Sequence, residues 1–108
     1  MTSQRTSFLP IANADALRAV LAAPHLAVVF LHDPTCPISA DAFEEMEGLG
    51  GNVHLIDVTH QHDLKREVER STRVKHESPQ VIVMREGVAV WNASHGRIRA
   101  AKVREALG

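Results

Sequence analysis

Residues 26–39 read LAVVFLHDPTCPIS and place a continuous apolar run a few residues before a cysteine that lies close to two prolines. The run Leu26–Leu31 is typical of a strand buried on both faces of a sheet. The residues that follow it predict a turn, and apolar side chains then recur at helical spacing: Ile38, Ala42, Phe43, Met46 and Leu49. A strand covered on both sides needs helices on both sides. The stretch therefore predicts an α/β protein with its cysteine where a helix begins.

Further helices and strands are predicted on both sides of this stretch. Residues 13–23 favour an Ala-rich helix with Asn13 as its N-cap, ended by Pro24. The remaining elements are predicted as a helix over 37–49, a strand over 53–58, a helix over 63–72, strands over 80–84 and 88–91 and a helix over 98–107. This order predicts a mixed four-stranded sheet, two parallel strands plus a hairpin, flanked by helices on both faces.

Length, composition and charge narrow the class of protein. A chain of 108 residues suits one domain, 1–108, and 44% hydrophobic residues with 12 basic and 13 acidic side chains are typical of a soluble globular protein. The net charge of −1 gives no general attraction to nucleic acid or to an anionic membrane. A single cysteine, no apolar run long enough to span a bilayer and a polar N-terminus predict a cytoplasmic protein.

Cys36 is the candidate for chemistry. Pro37 suits the first position of a helix, so Cys36 would lie where unpaired backbone N–H groups and the positive end of the helix dipole stabilise a thiolate. The alternative is that Cys36 is a small buried hydrophobe. Ala42 stands where a phosphatase loop needs arginine, Thr35 is adjacent rather than three residues before the cysteine as in a peroxidatic site, and the seven histidines show no zinc-ligand spacing. Thiol-disulfide exchange is the chemistry that remains.

Three blocks of sequence carry a resemblance to a known family. They are Thr35-Cys36-Pro37-Ile38-Ser39, His76-Glu77-Ser78-Pro79-Gln80, and Trp91 with Ser94-His95. In these blocks the chain resembles the monothiol bacilliredoxins, thioredoxin-like bacterial proteins that use the small thiol bacillithiol in place of glutathione. The similarity runs from about Leu26 to His95. Ser39 stands where other thioredoxin relatives have a second cysteine.

The resemblance implies a thioredoxin-like fold and the removal of bacillithiol from mixed disulfides on client proteins. Cys36 would be the catalytic residue, with supporting or thiol-binding residues Thr35, Pro37, Ser39, His76, Ser78 and Pro79. Bacillithiol would be a co-substrate, with no tightly bound cofactor and no metal. The partners would be bacillithiolated proteins and a separate thiol or reductase that regenerates Cys36, with no nucleic acid and no membrane.

Several roles follow from the resemblance as expectations. Ser39 either hydrogen-bonds the thiolate or only satisfies the helix terminus. Pro79 is expected to follow a cis bond that presents the Ser78 backbone to Cys36. The candidates for binding the malate carboxylates of bacillithiol are the basic residues near the cysteine, Arg73, Lys75, His76 and His95.

Two other functions remain open at this point. A monothiol glutaredoxin-like protein would hold a [2Fe–2S] cluster between the Cys36 residues of two chains and two small thiols. A redox-inactive thioredoxin-like adaptor would use the Cys36 face only to bind a partner.

Overall fold

The structure is a computed structural model that describes residues 5–108. Its elements follow in chain order: β1 Thr6–Pro10, α1 Ala14–Leu21, β2 Leu26–His32, α2 Pro37–Glu47, β3 Gly51–Asp57, α3 His62–Thr72, β4 Gln80–Arg85, β5 Val88–Ser94, a 3₁₀ turn His95–Arg97 and α4 Ala100–Leu107. None of the helices in this range is long and apolar enough to cross a membrane.

The sheet has five strands in the order β1-β3-β2-β4-β5. Both β1 and β2 run parallel to β3, whereas β4 is antiparallel to β2 and β5 is antiparallel to β4. The prediction of parallel strands followed by a hairpin is confirmed, but the prediction of four strands missed β1. Thr6–Pro10 has a mostly exposed, weakly alternating sequence that ends in proline, which is tolerated at a sheet edge. Backbone pairing with β3 places it in the sheet.

The central strand β2 is buried on both faces, as its apolar run predicts. On one face, α1 and α3 pack Leu17, Leu21, Leu64 and Val68 against Val29 and Leu31. On the other face, α2 and α4 pack Ala42, Met46 and Val103 against Val28 and Phe30. Burying an aliphatic side chain of this kind stabilises the fold by about 1.5–3 kcal/mol. The sheet therefore holds the helices, and with them the start of α2, in fixed positions.

The ends of the helices differ little from the sequence prediction. The side chain of Asn13 caps α1 by accepting a hydrogen bond from the Ala16 N–H at 2.8 Å. The prediction ran α2 two residues too far, to Leu49. It also began the last helix at Ile98, but the chain there is still leaving the 3₁₀ turn and Ile98 is buried in the core. These differences leave the Cys36 end of α2 as predicted.

Three segments meet at one edge of the sheet. His32 ends β2 and pairs in register with Asp57 at the end of β3. Gln80 begins β4 opposite Leu31, so the segment that enters β4 lies beside the segment that leaves β2. The start of α2 follows β2 at the same edge. This edge brings the cysteine-bearing turn and the residues before β4 together.

Candidate functional site

Cys36 is the N-cap of α2 and its thiol is free. Its backbone is extended, with φ −102° and ψ 125°, and its carbonyl accepts the first helical hydrogen bond from the Ala40 N–H at 3.0 Å. Pro37 occupies the start of the helix, as predicted. The residue is partly exposed. It is therefore reachable from solvent, which a fully buried hydrophobe would not be.

The turn before Cys36 is held by Asp33. One oxygen of its carboxylate accepts hydrogen bonds from the Thr35 N–H at 2.8 Å and the Thr35 hydroxyl at 2.7 Å. These bonds hold the pKa of Asp33 below its usual value. The Asp33 carbonyl in turn accepts the Cys36 N–H at 3.1 Å. The hydroxyl of Thr35, a predicted supporting residue, thus fixes the turn that carries the cysteine.

Ser39 bonds to groups other than the one proposed from the sequence. Its side chain is 0% exposed, and its hydroxyl oxygen accepts the Asp33 N–H at 2.9 Å and lies 2.7 Å from His32 Nδ1. Within residues 5–108 its hydrogen bonds do not include the sulfur of Cys36. The expected bond to the thiolate is therefore replaced by bonds to the end of β2 and to the turn. The alternative, a hydroxyl that satisfies backbone near the helix start, is closer to the structure.

His32 is a residue of this site that sequence reasoning missed. Its half-buried ring lies against two phenylalanines, with ring centroids 4.9 Å from Phe43 and 5.3 Å from Phe30. Burial holds the pKa of His32 below its usual value, although Asp57 and Asp33 act in the opposite direction. The imidazole is therefore neutral at pH 7. A polar residue ending a buried strand four positions before the cysteine was the available signal.

Asp57 places a second carboxylate at the same edge. Its oxygens accept hydrogen bonds from the N–H and hydroxyl of Thr59, at 2.9 and 2.6 Å, and pair with His60 Nδ1 at 2.9 Å. The bond from the Thr59 hydroxyl is the main cause that lowers the pKa of Asp57 to about 2. The carboxylate is ionised at neutral pH and is a fixed negative charge in register with His32.

The peptide bond between Ser78 and Pro79 is cis, as the resemblance predicted. Pro79 is buried, and its carbonyl accepts the His95 N–H at 3.1 Å. Gln80, 2% exposed, donates from its side-chain amide to the Lys75 carbonyl at 3.0 Å. The loop before β4 is thus tied to the turn that follows β5.

Two polar atoms in this loop lack partners. His76 Nδ1 and Ser78 Oγ are buried and make no hydrogen bond to any residue in the described part of the chain. Burial is the main cause that lowers the pKa of His76, so this ring is also neutral at pH 7. An unsatisfied buried polar group costs about 1–3 kcal/mol, which a bound molecule could recover by supplying the missing hydrogen bond. Both residues belong to the predicted thiol-binding set.

The predicted basic residues lie in different surroundings. Arg73 caps α3 in a left-handed conformation, φ 61°, and both Arg73 and Lys75 are exposed. His95 faces Glu77, with 3.7 Å between Nδ1 and Oε1, and Glu77 also accepts the Ser94 hydroxyl. An open groove of about 400 Å³ is lined by Glu77, Ser94, His95, Gly96 and Arg97. Arg97 is a cation of this groove that the sequence prediction did not include.

The exposed residues on either side of Cys36 in the sequence are uncharged. Pro34, Thr35 and Pro37 are exposed, and Ile38 is 49% exposed. The prediction that Ile38 belongs to the packed stripe of α2 was wrong, because the buried face of this helix runs through Ser39, Ala42 and Met46. In residues 5–108 no three His, Cys, Asp or Glu side chains are placed to hold a metal ion. The site offers one thiol with exposed, uncharged neighbours in the sequence.

Comparisons with known proteins agree with this geometry. The family model "Monothiol bacilliredoxin BrxC" matches residues 10–103. A solved structure described as a candidate oxidoreductase with a thioredoxin fold is 30% identical, with a TM-score of 0.85 and 94% of each chain covered. Thioredoxins from Malassezia sympodialis and Trypanosoma brucei brucei are 16% and 17% identical, with TM-scores of 0.75 and 0.73, over 99% of this chain and 93% of theirs.

The two thioredoxins establish only the fold, because their identity to this chain is low. The expectation of a thioredoxin-like α/β fold is confirmed. The family model covers most of the chain, including Cys36, the cis-Pro79 loop and the last helix as far as Val103. The chain belongs to the monothiol bacilliredoxin family.

Proposed function

We propose that this protein is a monothiol disulfide oxidoreductase that removes bacillithiol from mixed disulfides on client proteins, with Cys36 as its nucleophile. The family and the thioredoxin fold support a thiol redox function. The observation that carries the proposal is Cys36, a partly exposed residue with a free thiol at the N-terminus of α2. Unpaired N–H groups and the helix dipole favour a thiolate at such a position.

The reaction is an exchange of disulfides. The Cys36 thiolate attacks the bacillithiol sulfur of a mixed disulfide, and the bond between that sulfur and the client sulfur breaks. The client thiolate leaves with the electron pair and takes a proton from water. The product is a disulfide between Cys36 and bacillithiol. No net oxidation occurs, because one disulfide replaces another.

A second thiol is needed to complete the cycle, because Cys36 is the only cysteine of the chain. A further molecule of bacillithiol attacks the adduct and forms bacillithiol disulfide, which returns Cys36 as a thiolate. A separate reductase could deliver the same two electrons. Bacillithiol is thus a co-substrate in this proposal and not a bound cofactor. A chain with an unpaired reactive thiol suits a reducing compartment, so we assign the protein to the cytoplasm.

The loop before β4 would hold the disulfide. The backbone N–H and C=O of Ser78 could pair with the peptide-like part of bacillithiol, in the manner of an added strand. Ser78 Oγ and His76 Nδ1 are buried without a hydrogen-bond partner in the described part of the chain, so a ligand would bond them only where this loop opens to admit it. The malate carboxylates would meet hydrogen-bond donors of the nearby groove, for which His95 and Arg97 are the candidates.

The test follows the mass of the protein during exchange. Reduced wild type, Cys36→Ser and Cys36→Ala are each mixed with a bacillithiolated client and analysed by intact mass spectrometry. We expect a bacillithiol adduct on the wild type alone, together with release of the client thiol. As a matched comparison, the wild type is mixed with the same client carrying glutathione instead of bacillithiol. We expect the client thiol to be released more slowly from this mixed disulfide.

One outcome contradicts the proposal. If iodoacetamide labels Cys36 readily but no bacillithiol adduct forms, the thiol is reactive and its substrate is something else. In that case, visible absorption after anaerobic purification would favour a cluster carrier. A phenotype unchanged in Cys36→Ser would favour an adaptor.

A further inference from the structure

His32 lies in a network that ends at the cysteine-bearing turn. Its Nδ1 is 2.7 Å from the hydroxyl of Ser39, which also accepts the N–H of Asp33 at 2.9 Å. We propose that His32 is a positioning residue for the thiol chemistry, acting on Cys36 through the direction of the Ser39 hydroxyl hydrogen. This inference rests on the proposed role of Cys36 as the nucleophile.

The hydrogen-bond inventory of the two side chains gives the mechanism. A serine hydroxyl has one hydrogen to donate and two lone pairs that accept. The N–H of Asp33 takes one lone pair of Ser39. When Nδ1 of His32 carries no proton, the Ser39 hydrogen points to His32. When His32 is an imidazolium, Nδ1–H donates to Ser39 and the hydroxyl hydrogen is released to another acceptor.

Ser39 is connected to Cys36 in two ways. It is the third helical residue after the N-cap Cys36, and the side chains at these two capping positions lie close together. It also holds the N–H of Asp33, whose carbonyl holds the Cys36 N–H. A released hydroxyl hydrogen would be a donor for the thiolate, and the imidazolium would add a positive charge. Protonation of His32 should therefore favour the thiolate.

The charges that face His32 come from two segments. Asp57 on β3 and Asp33 in the turn are both negative and favour the imidazolium, whereas burial favours the neutral ring. The groups of α2 and β2 that contact the ring, Ser39, Phe43 and Phe30, are uncharged. Burial outweighs the two carboxylates, so the change of state lies on the acid side of the ordinary histidine range.

The experiment measures the chemical reactivity of Cys36 and needs no bacillithiol. The alkylation rate of Cys36 by iodoacetamide is followed by intact mass from about pH 5 to about pH 9, a range that covers ordinary histidine and cysteine ionisation. The wild type should show the ionisation of Cys36 and a second inflection on the acid side. His32→Phe should lose that second inflection, and Ser39→Ala should weaken it, because the charge of the imidazolium remains when the hydroxyl is removed. Their rates should change by about two- to tenfold, the effect of one hydrogen bond.

Three controls separate positioning from loss of structure. In His32→Asn an amide group replaces Nδ1 without titrating, so the rate should stay closer to wild type while the acid inflection disappears. His54→Phe removes another half-buried imidazole, whose pKa is also lowered by burial, and should leave the profile unchanged. At pH 7, where His32 is neutral, the double variant of His32 and Ser39 should react like Ser39→Ala alone, because His32 then acts on Cys36 only through the Ser39 hydroxyl.

The inference is overturned if His32→Phe keeps both inflections, or if His54→Phe changes the profile as much as His32→Phe does. Nitrogen NMR of the wild type gives an independent measurement, since His32 should titrate on the acid side and its Nδ1 should carry the signature of a hydrogen bond. Failure of the proposed function looks different. In that case the alkylation profiles behave as expected and no bacillithiol adduct forms.

Discussion

Replacing Ser39 by alanine is expected to lower the free energy of unfolding by about 2 kcal/mol. The side chain is fully buried, and its hydroxyl serves both the Asp33 N–H and His32 Nδ1. The substitution leaves both groups without this partner, and each unsatisfied buried group costs about 1–3 kcal/mol. Asp33 and His32 are only half-buried, so water replaces part of each bond and the lower end of the range applies. A loss of this size leaves a typical domain folded.

The matched control is Thr35→Val in the same turn. The Thr35 hydroxyl bonds to Asp33 from an exposed position, so its loss should cost less than about 1 kcal/mol. Urea unfolding followed by circular dichroism gives both values, and the slope with urea should be the same in all three proteins. A loss in Ser39→Ala no larger than that in Thr35→Val would refute the reasoning. It would mean that water replaces the hydroxyl completely.

Two further predictions concern acid stability and helix capping. The pKa of Asp57 is lowered from 3.8 to about 2, so its stabilising contribution is present above pH 3.8 and is lost as the pH falls through about 2. The urea midpoint of Asp57→Asn should therefore vary less over this range than that of wild type, and parallel curves would contradict the assignment. Asn13→Ala should cost about 1 kcal/mol in urea unfolding because it removes the cap of α1, whereas Asn92→Ala, at an exposed position of β5, should cost less than about 0.5 kcal/mol.

The parts of the fold that follow from local pattern were predictable. A few neighbouring residues were enough to predict β2 from its apolar run, α1 and α3 from their helical spacing, and the β4–β5 hairpin from its glycine. The strand β1 could not be predicted in this way, because Thr6–Pro10 is mostly exposed. It is held by backbone hydrogen bonds to β3, which lies more than forty positions away in the sequence. Edge strands with one neighbour carry little burial signal in the sequence.

In the candidate site, too, some features could be predicted from local sequence and others could not. The position of Cys36 at a helix start follows from Pro37 and the preceding turn. The cis bond before Pro79 was expected only from the family resemblance, because about 5–6% of X–Pro bonds in folded proteins are cis. The pairing of His32 with Ser39 could not be predicted, since it depends on how the end of β2 meets the first turn of α2.

Ser39 explains in physical terms why the proposed reaction needs a second thiol. At this position a cysteine could attack the adduct on its neighbour, but a hydroxyl cannot form a disulfide. The structure gives the hydroxyl other bonds, to His32 and to Asp33, and buries it completely. The adduct proposed on Cys36 must therefore be removed from outside, by a molecule that reaches the sulfur through solvent. The partial exposure of Cys36 and the exposed Pro34, Thr35 and Pro37 around it leave that approach open.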